Sequence, residues 1–389
     1  MPSKKRRIRY DRIFMIFAAL SVVACILTIP FALMDRGLKK LGYEKQDIQM
    51  IKELGLEDEI IALDLYSPSL VDALRNGTLY PEILPLYGVK SSLDPLDALL
   101  ARRLMDKGYE EDQIVSLYEK LLFNELAPLL VFDYQWDETD YIEDCLKNRE
   151  NNSIASFSLD GKYRKAYANA KCASNPESLS TLVSFSSYLP SEYEPAELED
   201  IPTRYGVKDV SLAKEAAQSI IMMAQEAYET SGAFYVSVGY RSNQTQAKMY
   251  QSILAQSRDN TSADAKCIRP GFSEHQTGLA VNIASSAQPE LPFDETWTKQ
   301  WLDNRAAAAG WIQRYPLGKA SITGIGDEPD HYRYLGRELA ILVADSQLTF
   351  DEYHALYLAE WNNPDLIPSN KILNAISNYQ AERNENDPD

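Results

Sequence analysis

Histidine is almost missing from this chain: three in 389 residues, at His275, His331 and His354. Chemistry built on imidazole therefore has very few places to be. Cysteine is nearly as scarce, with Cys25, Cys145, Cys172 and Cys267 and no CxxC or other metal-type spacing among them. Cys25 falls inside an apolar run. The other three are an odd set that allows at most one intramolecular disulfide. A Cys145–Cys172 bridge is conceivable, and buried or surface thiols are the plainer alternative. Basic charge is lacking in a different way. The net charge is −18; residues 1–12, "MPSKKRRIRYDR", carry +5 and residues 13–34 carry none, so the rest holds −23. So acidic a body argues against a nucleic-acid partner, whose phosphates it would repel. The 24 tyrosines and five tryptophans are spread out rather than clustered, so core and interface roles are their default.

One hydrophobic run stands out. Ile13–Met34, "IFMIFAALSVVACILTIPFALM", is 22 uncharged residues, close to the ~20 that cross a bilayer. The Lys/Arg cluster before it should stay cytoplasmic and send the C-terminal part outside. A cleaved signal peptide would have an apolar core of only ~7–15 residues and a small-residue cleavage site. "PFALMDRG" offers no such site, so a single-pass anchor is expected, with Pro30 near its outer end, where a kink is tolerated.

Beyond the anchor, residues 35–147 have helical spacing and a hint of duplication. "GYEKQDI" (Gly42–Ile48) recurs as "GYEEDQI" (Gly108–Ile114), each followed by apolar residues at helix-like intervals. Two copies are too few for a solenoid, and the function of this region is not readable. Residues 148–178, rich in Asn and Ser, look like a linker or loose subdomain. From 179 to 358 helices and short strands interleave. Ala213–Thr230 and the stretch from Gln244 to Ala255 read as helices, and Ala233–Tyr240, Gly278–Ala284 and "HYRYLG" as strands. "TFDE" at Thr349–Glu352 is a capping box for a last helix. The pattern indicates an α+β domain, followed by residues 359–389, a C-terminal helix and acidic tail.

His275 lies in "GFSEHQTGLAVNIASS" and His331 in "DEPDHYRY", three residues after Glu328. Two imidazoles with one oxygen ligand and an open position is a hydrolytic zinc arrangement, in which a free carboxylate activates the attacking water. Spacing alone is weak evidence, since a pair of histidines is more often structural. His354 lies outside these segments and reads as a packing or surface residue.

Four longer segments carry more weight: "YLPSEYEPAEL", "VGYRSNQTQ", "PGFSEHQTGLAVNI" and "GWIQRYPLGKASITGIGDEPDHYRYLG". Over about 179–358 the chain resembles the VanY-type zinc D,D-carboxypeptidases, which remove the terminal D-alanine from peptidoglycan stem peptides. The resemblance implies a compact α+β fold, a small antiparallel sheet flanked by helices. It implies one zinc ion, with His275 and His331 as ligands and Asn282 where the family has an aspartate. Glu328 matches the carboxylate that takes a proton from the attacking water and returns it to the leaving amine. Arg241 matches the residue that holds the substrate's terminal carboxylate, a planar group that a guanidinium reads with two hydrogen bonds. Ser273 and Gln246 match positions that line the substrate site.

The departures from the family are specific. Asn282 is a neutral ligand in place of an anion, Asp330 replaces an expected tryptophan, and Val238 and Asn243 alter the neighbourhood of Arg241. If "DHYRY" is extended, Asp330 and His331 point to opposite sides of the strand, so Asp330 is expected to face away from the metal. Asp327 and Asp264 are other carboxylates, with no positional argument for either. Two readings follow. The chain is a membrane-anchored zinc D,D-carboxypeptidase acting outside the cell, or an inactive relative that binds wall peptides without cutting them. Intact Glu328 favours the first reading, and Asn282 with Asp330 the second.

Overall fold

The computed structural model describes residues 35–90, 92–132, 138–149, 162–163, 166–230 and 232–359. The expected basic segment 1–12, membrane helix 13–34 and nearly all of the tail 359–389 lie outside the described residues. Among the described residues no helix is long and apolar enough to cross a membrane. Contacts divide the chain into two compact units, with the boundary between Arg102 and Arg103, inside helix Pro95–Asp106.

In the first unit, local chemistry sets where helices start and stop. Helix Lys45–Leu54 begins where the Glu44 N–H bonds the Asp47 carboxylate at 3.0 Å, and it ends at Gly55 with φ 70°. Helix Pro68–Asn76 opens on Ser67, whose hydroxyl accepts from the Leu70 N–H at 3.2 Å. Such caps pair backbone groups that the helix itself leaves unbonded. Ile48, Ile51, Ile60, Leu70 and Leu74 are buried. Arg75 clasps the buried Asp47 with bonds of 2.8 and 3.1 Å.

The second "GYE" copy makes the same start. The Glu110 N–H bonds the Gln113 side chain at 3.0 Å ahead of helix Glu111–Lys120. Gly42 and Gly108 both have positive φ, 117° and 103°. The repeated motif is thus a left-handed helix stop followed by a capped start. Although the sequence reads residues 35–147 as one helical region, contacts assign the described residues from Arg103 onward to the second unit. Packing is the reason: helix Phe123–Val131 lies against the short helices Ala320–Thr323 and Phe350–Tyr353. Arg103 also donates to the Leu356 carbonyl at 2.9 Å.

The stretch 148–178, expected to be a linker or loose subdomain, makes definite contacts where it is described. Tyr163 stacks edge-on with Tyr141 at 5.1 Å. Tyr167 meets Phe272 at 4.6 Å and Phe185 at 4.9 Å, with the Arg269 guanidinium 4.3 Å from its ring. Strand β1 (Lys171–Cys172) pairs in parallel with β2 (Ser187–Tyr188).

Strands β3 (Leu198–Asp200) and β4 (Ser211–Ala213) form a separate antiparallel pair. Four strands then build the main sheet: β5 (Phe234–Val238), β6 (Ala280–Ser285), β7 (Trp311–Tyr315) and β8 (Glu328–Tyr334). All its pairs are antiparallel, in the order β5-β6-β8-β7. This is the α+β architecture expected from the sequence. Helix Lys214–Tyr228 turns Ala217, Ile220, Met223 and Ala227 into a core with Val236, Val281, Ile283 and Trp311. Each large apolar side chain so buried contributes about 1.5–3 kcal/mol. The Trp311 indole donates to Ser219 Oγ at 3.0 Å, and that hydroxyl donates to the Ala309 carbonyl. A second core of Ile312, Leu335, Val343, Phe350 and Tyr353 closes around helix Arg337–Ser346.

Two irregularities flank the middle of this sheet. On β5, Val236 pairs with Ile283 but Val238 pairs with Asn282, so Ser237 is bulged out. On β8, Tyr332 pairs with Gln313 and Glu328 with Tyr315, leaving Pro329, Asp330 and His331 opposite the single Arg314. Pro329 has no N–H to give the ladder, which suits a bulge and not a regular central strand.

Candidate functional site

His275 is carried on the buried 3₁₀ turn Glu274–Thr277, which ends at Gly278 with φ 68°. A Cβ at Gly278 would stand 2.9 Å from the Ala213 backbone nitrogen, so glycine is needed for both conformation and space. The Arg241 N–H donates to the His275 carbonyl at 3.1 Å and ties the segment after β5 to this turn. Asn282 on β6 is directly paired with His331 on β8. The His275 Nε2 meets the Asn282 Oδ1 at 3.1 Å. The His331 Nδ1 meets the Glu328 Oε2 at 2.9 Å across the bulge. The two imidazole rings lie 5.1 Å apart, centre to centre, with Tyr315 edge-on to His331 at 4.9 Å. His275, Asn282, His331 and Glu328, drawn from three separate segments, are brought together. Glu328 faces outward, its side chain 40% exposed, against 5% for His331.

Asp330 does not face away as alternation predicts. Its Oδ2 accepts from the Asn282 Nδ2 at 3.1 Å. The bulge is the cause: ladder pairing of β8 with β6 ends at His331, so strict alternation does not apply to the residues before it. Asp264 is engaged elsewhere, by Arg269 at 2.7 and 2.9 Å and by Tyr250. Asp327 accepts from the Gly318 N–H at 3.0 Å.

Arg241 reaches Ser273 Oγ at 3.4 Å and the Met249 sulfur at 3.8 Å, both weak partners, and its Nε is buried without one. Among the described residues no carboxylate is within ion-pair distance of it. Burial lowers its pKa, with Cys267 and Glu328 pulling the other way. A partly buried guanidinium without a counter-ion is costly unless an anion arrives to meet it. Gln246 is enclosed; its amide donates to the Ile268 carbonyl at 2.6 Å and supports the loop before Ser273.

Four residues under the site lie within the quoted segments but are given no role by them. Glu274, Arg314, Arg333 and Asp351 form a fully buried charge network. Arg314 donates to Glu274 at 2.9 Å and to Asp351 at 3.1 Å, and Arg333 donates to Glu274 at 3.1 Å. Burial by itself would raise the Glu274 carboxyl, but Arg314 and Arg333 outweigh it and hold the group below its ordinary value. The Glu274 Oε2 faces the His331 Nε2 at 3.9 Å, too long for a hydrogen bond. His275 is pushed well below the ordinary imidazole range, by burial first and then by His331 and Arg241, so it sits neutral. A neutral imidazole is the form that binds metal.

Does the donor set suit a zinc ion? The 3.1 Å between His275 Nε2 and Asn282 Oδ1 is close to the ~3.3 Å edge of a tetrahedron with bonds of ~2.0–2.1 Å. The buried Nε2 of His331 is without a hydrogen-bond partner. Among the described residues no group of three His, Cys, Asp or Glu side chains is placed to hold a metal; the Asn282 amide oxygen is the donor that stands beside His275. The set fits a cation, with a neutral oxygen where an anion would bind more strongly. A cavity of about 640 Å³ in the same unit is lined by Lys107, Cys172, Ser178, His354 and neighbours and includes none of His275, Asn282 and His331.

The family profile described as VanY, D-alanyl-D-alanine carboxypeptidase, matches residues 209–337, the span holding all the residues just described around the histidines except Asp351. The putative carboxypeptidase YodJ of Bacillus subtilis (strain 168) is 32% identical over 221 residues, covering 53% of this chain and 78% of that protein. A D-alanyl-D-alanine carboxypeptidase of Enterococcus faecalis is 36% identical over 126 residues, 30% of this chain and 46% of that one. The match thus spans about half of the enterococcal protein. Among solved structures, the LdcB LD-carboxypeptidase is 32% identical, with 48% of this chain and 90% of that one covered and a TM-score of 0.45. A vancomycin-resistance D,D-pentapeptidase VanY in complex with Zn(II) is 28% identical, with 44% and 96% covered and a TM-score of 0.39.

Proposed function

The chain belongs to the VanY family of D-alanyl-D-alanine carboxypeptidases, and on that footing we propose that it removes the terminal D-alanine from peptidoglycan stem peptides at the His275–Asn282–His331 site. The observation that carries the reading is Arg241. A guanidinium short of a counter-ion, hydrogen-bonded to Ser273 and tied by its own N–H to the His275 carbonyl, is a receptor for a free chain end beside two histidines. A C-terminal carboxylate bound there would fix the register of the peptide, so that only the last peptide bond reaches the histidines. Ser273 steadies the guanidinium. Glu328, exposed at the mouth and 2.9 Å from His331, takes the proton of the attacking water and returns it to the leaving amine. Zinc held by His275, Asn282 and His331 would supply Lewis acidity at the scissile carbonyl.

The neutral Asn282 supports a second reading, in which the site grips stem-peptide ends and does not cut them. Both readings place the protein at the outer face of the cell membrane, held by residues 13–34. What supports that location is the uncharged run after six basic residues.

The test is D-alanine release from a stem pentapeptide ending in D-Ala-D-Ala, with zinc supplied, and from the same peptide amidated at its C-terminus. Release by the parent, a fall of ~10²–10⁴-fold in Glu328→Gln and loss of turnover on the amidated peptide are expected. A parent that binds the pentapeptide and releases nothing would transfer the site to the second reading. Protease treatment of intact cells checks the location, since the second unit should be cut from outside.

A further inference from the structure

We infer that Asn282 and Asp330 act as one unit: the carboxylate of Asp330 orients and polarises the Asn282 amide, so the pair does what a single aspartate ligand would do. The inference rests on the proposed metal site and concerns how this chain builds it.

The argument begins with the two ends of one amide. Oδ1 of Asn282 meets His275 Nε2 at 3.1 Å, and Nδ2 donates to Asp330 Oδ2 at 3.1 Å. An amide can rotate by half a turn and exchange these ends. With Asp330 beside it only one orientation is sound, because a carboxylate only accepts hydrogen bonds. Turned the other way, the amide oxygen would press against the carboxylate oxygen, and the NH₂ would face the imidazole nitrogen that a metal needs. Asp330 therefore fixes the oxygen toward His275.

Charge is the second part. A bare amide offers a dication a neutral oxygen. A carboxylate hydrogen-bonded to the amide N–H draws electron density toward that oxygen, and linked hydrogen bonds reinforce one another in this way. The negative charge missing from position 282 is thereby returned from the neighbouring strand. Carboxylates that hold a ligating histidine by its far N–H act by the same logic. The bulge at Pro329–His331 is what makes the arrangement possible, since a regular strand would turn Asp330 to the opposite face. Asp330 is in these terms a positioning residue, acting through Asn282.

The experiment measures zinc affinity of the full-length protein by competition with a chromophoric chelator, for the parent, Asp330→Asn, Asn282→Asp, the double variant and Asn282→Ala. Thermal unfolding of the metal-free proteins reports on folding. In the parent background Asp330→Asn should weaken zinc ~10–100-fold. In the Asn282→Asp background the same change should be neutral or tighten binding, because two carboxylates at that distance repel. Rescue of Asp330→Asn by Asn282→Asp is a result that general damage to the fold would not give. An equal loss in both backgrounds, or no loss in either while the parent binds zinc, would overturn the inference and leave the metal site standing. Full affinity in Asn282→Ala would make Asp330 the ligand itself and overturn the amide relay. No zinc binding by the parent or by Asn282→Asp would overturn the metal site and the inference together.

Discussion

Replacing Arg314 by methionine should unfold more of this protein than any change at its surface, and the loss should depend on pH in a definite direction. Arg314 has 0% exposure and bonds Glu274 and Asp351, while Arg333 shares Glu274. Two cations and two anions are balanced inside the fold. In Arg314→Met, Glu274 keeps Arg333, but Asp351 is left as a buried anion with no cation. Breaking such a pair costs about 3–5 kcal/mol. Burial already raises the Asp351 carboxyl against the pull of Arg314, so removing Arg314 raises it further. A folded-state pKa above the unfolded one means the native form holds the extra proton. The penalty is therefore small below about pH 4, the unfolded value, and grows as pH rises through the folded one. Urea unfolding at pH 5 and pH 8 reads this directly, with the larger deficit expected at pH 8. Arg314→Met/Asp351→Leu should recover most of the loss, because an apolar replacement leaves no orphan charge. A deficit under about 1 kcal/mol, or one that does not change between the two pH values, would refute the reasoning.

Gly278→Ala should lower the unfolding temperature more than Gly55→Ala. Both glycines have φ near 70°, but a Cβ at Gly278 would meet the Ala213 nitrogen at 2.9 Å while Gly55 has open space, so only the second change stays near the ~1–2 kcal/mol of a left-handed residue. Arg75 holds the Asp47 carboxyl below its ordinary value. That stability is complete above about pH 4 and lost as pH falls through the depressed folded value, so Asp47→Asn should flatten the acid arm of thermal melts for the first unit. A thiol reagent should reach Cys172 in the native protein, but Cys145, buried and pushed up to about 12, only after unfolding. A Cys145–Cys172 disulfide would leave Cys172 unreactive until reduced.

The sequence made the long regular elements readable, and it failed where distant segments meet. Helix Lys214–Tyr228 and the capping box at Thr349–Glu352, both halves of which form, were legible because each depends on residues within a turn or two. Strand Trp311–Tyr315 was not. Four of its five residues are buried, so no polar alternation marks it. The interior placement of Arg314 and Asp351 was not legible either, since nothing local says that an arginine, a glutamate and an aspartate from three segments share one interior. His275, Asn282, His331 and Glu328 do lie together in the fold. The position of Asp330 was misjudged by treating the strand as regular, and Pro329 was the available warning, because proline seldom sits in an unbroken central strand.

The aromatic contacts of Tyr167 bear on how separable the hydrolase portion is. Phe272, one residue before Ser273, rests on Tyr167, which lies upstream of the stretch 179–358 that carries the family motifs. The Arg269 N–H also donates to the Tyr167 hydroxyl at 3.2 Å. A gene fusion starting at residue 179 would keep every motif and yet leave Phe272 and Arg269 without this support. Recombination or truncation at that border would thus disturb the segment leading into Ser273 first. The motifs lie in one block of sequence, but contacts tie that block to residues upstream of it.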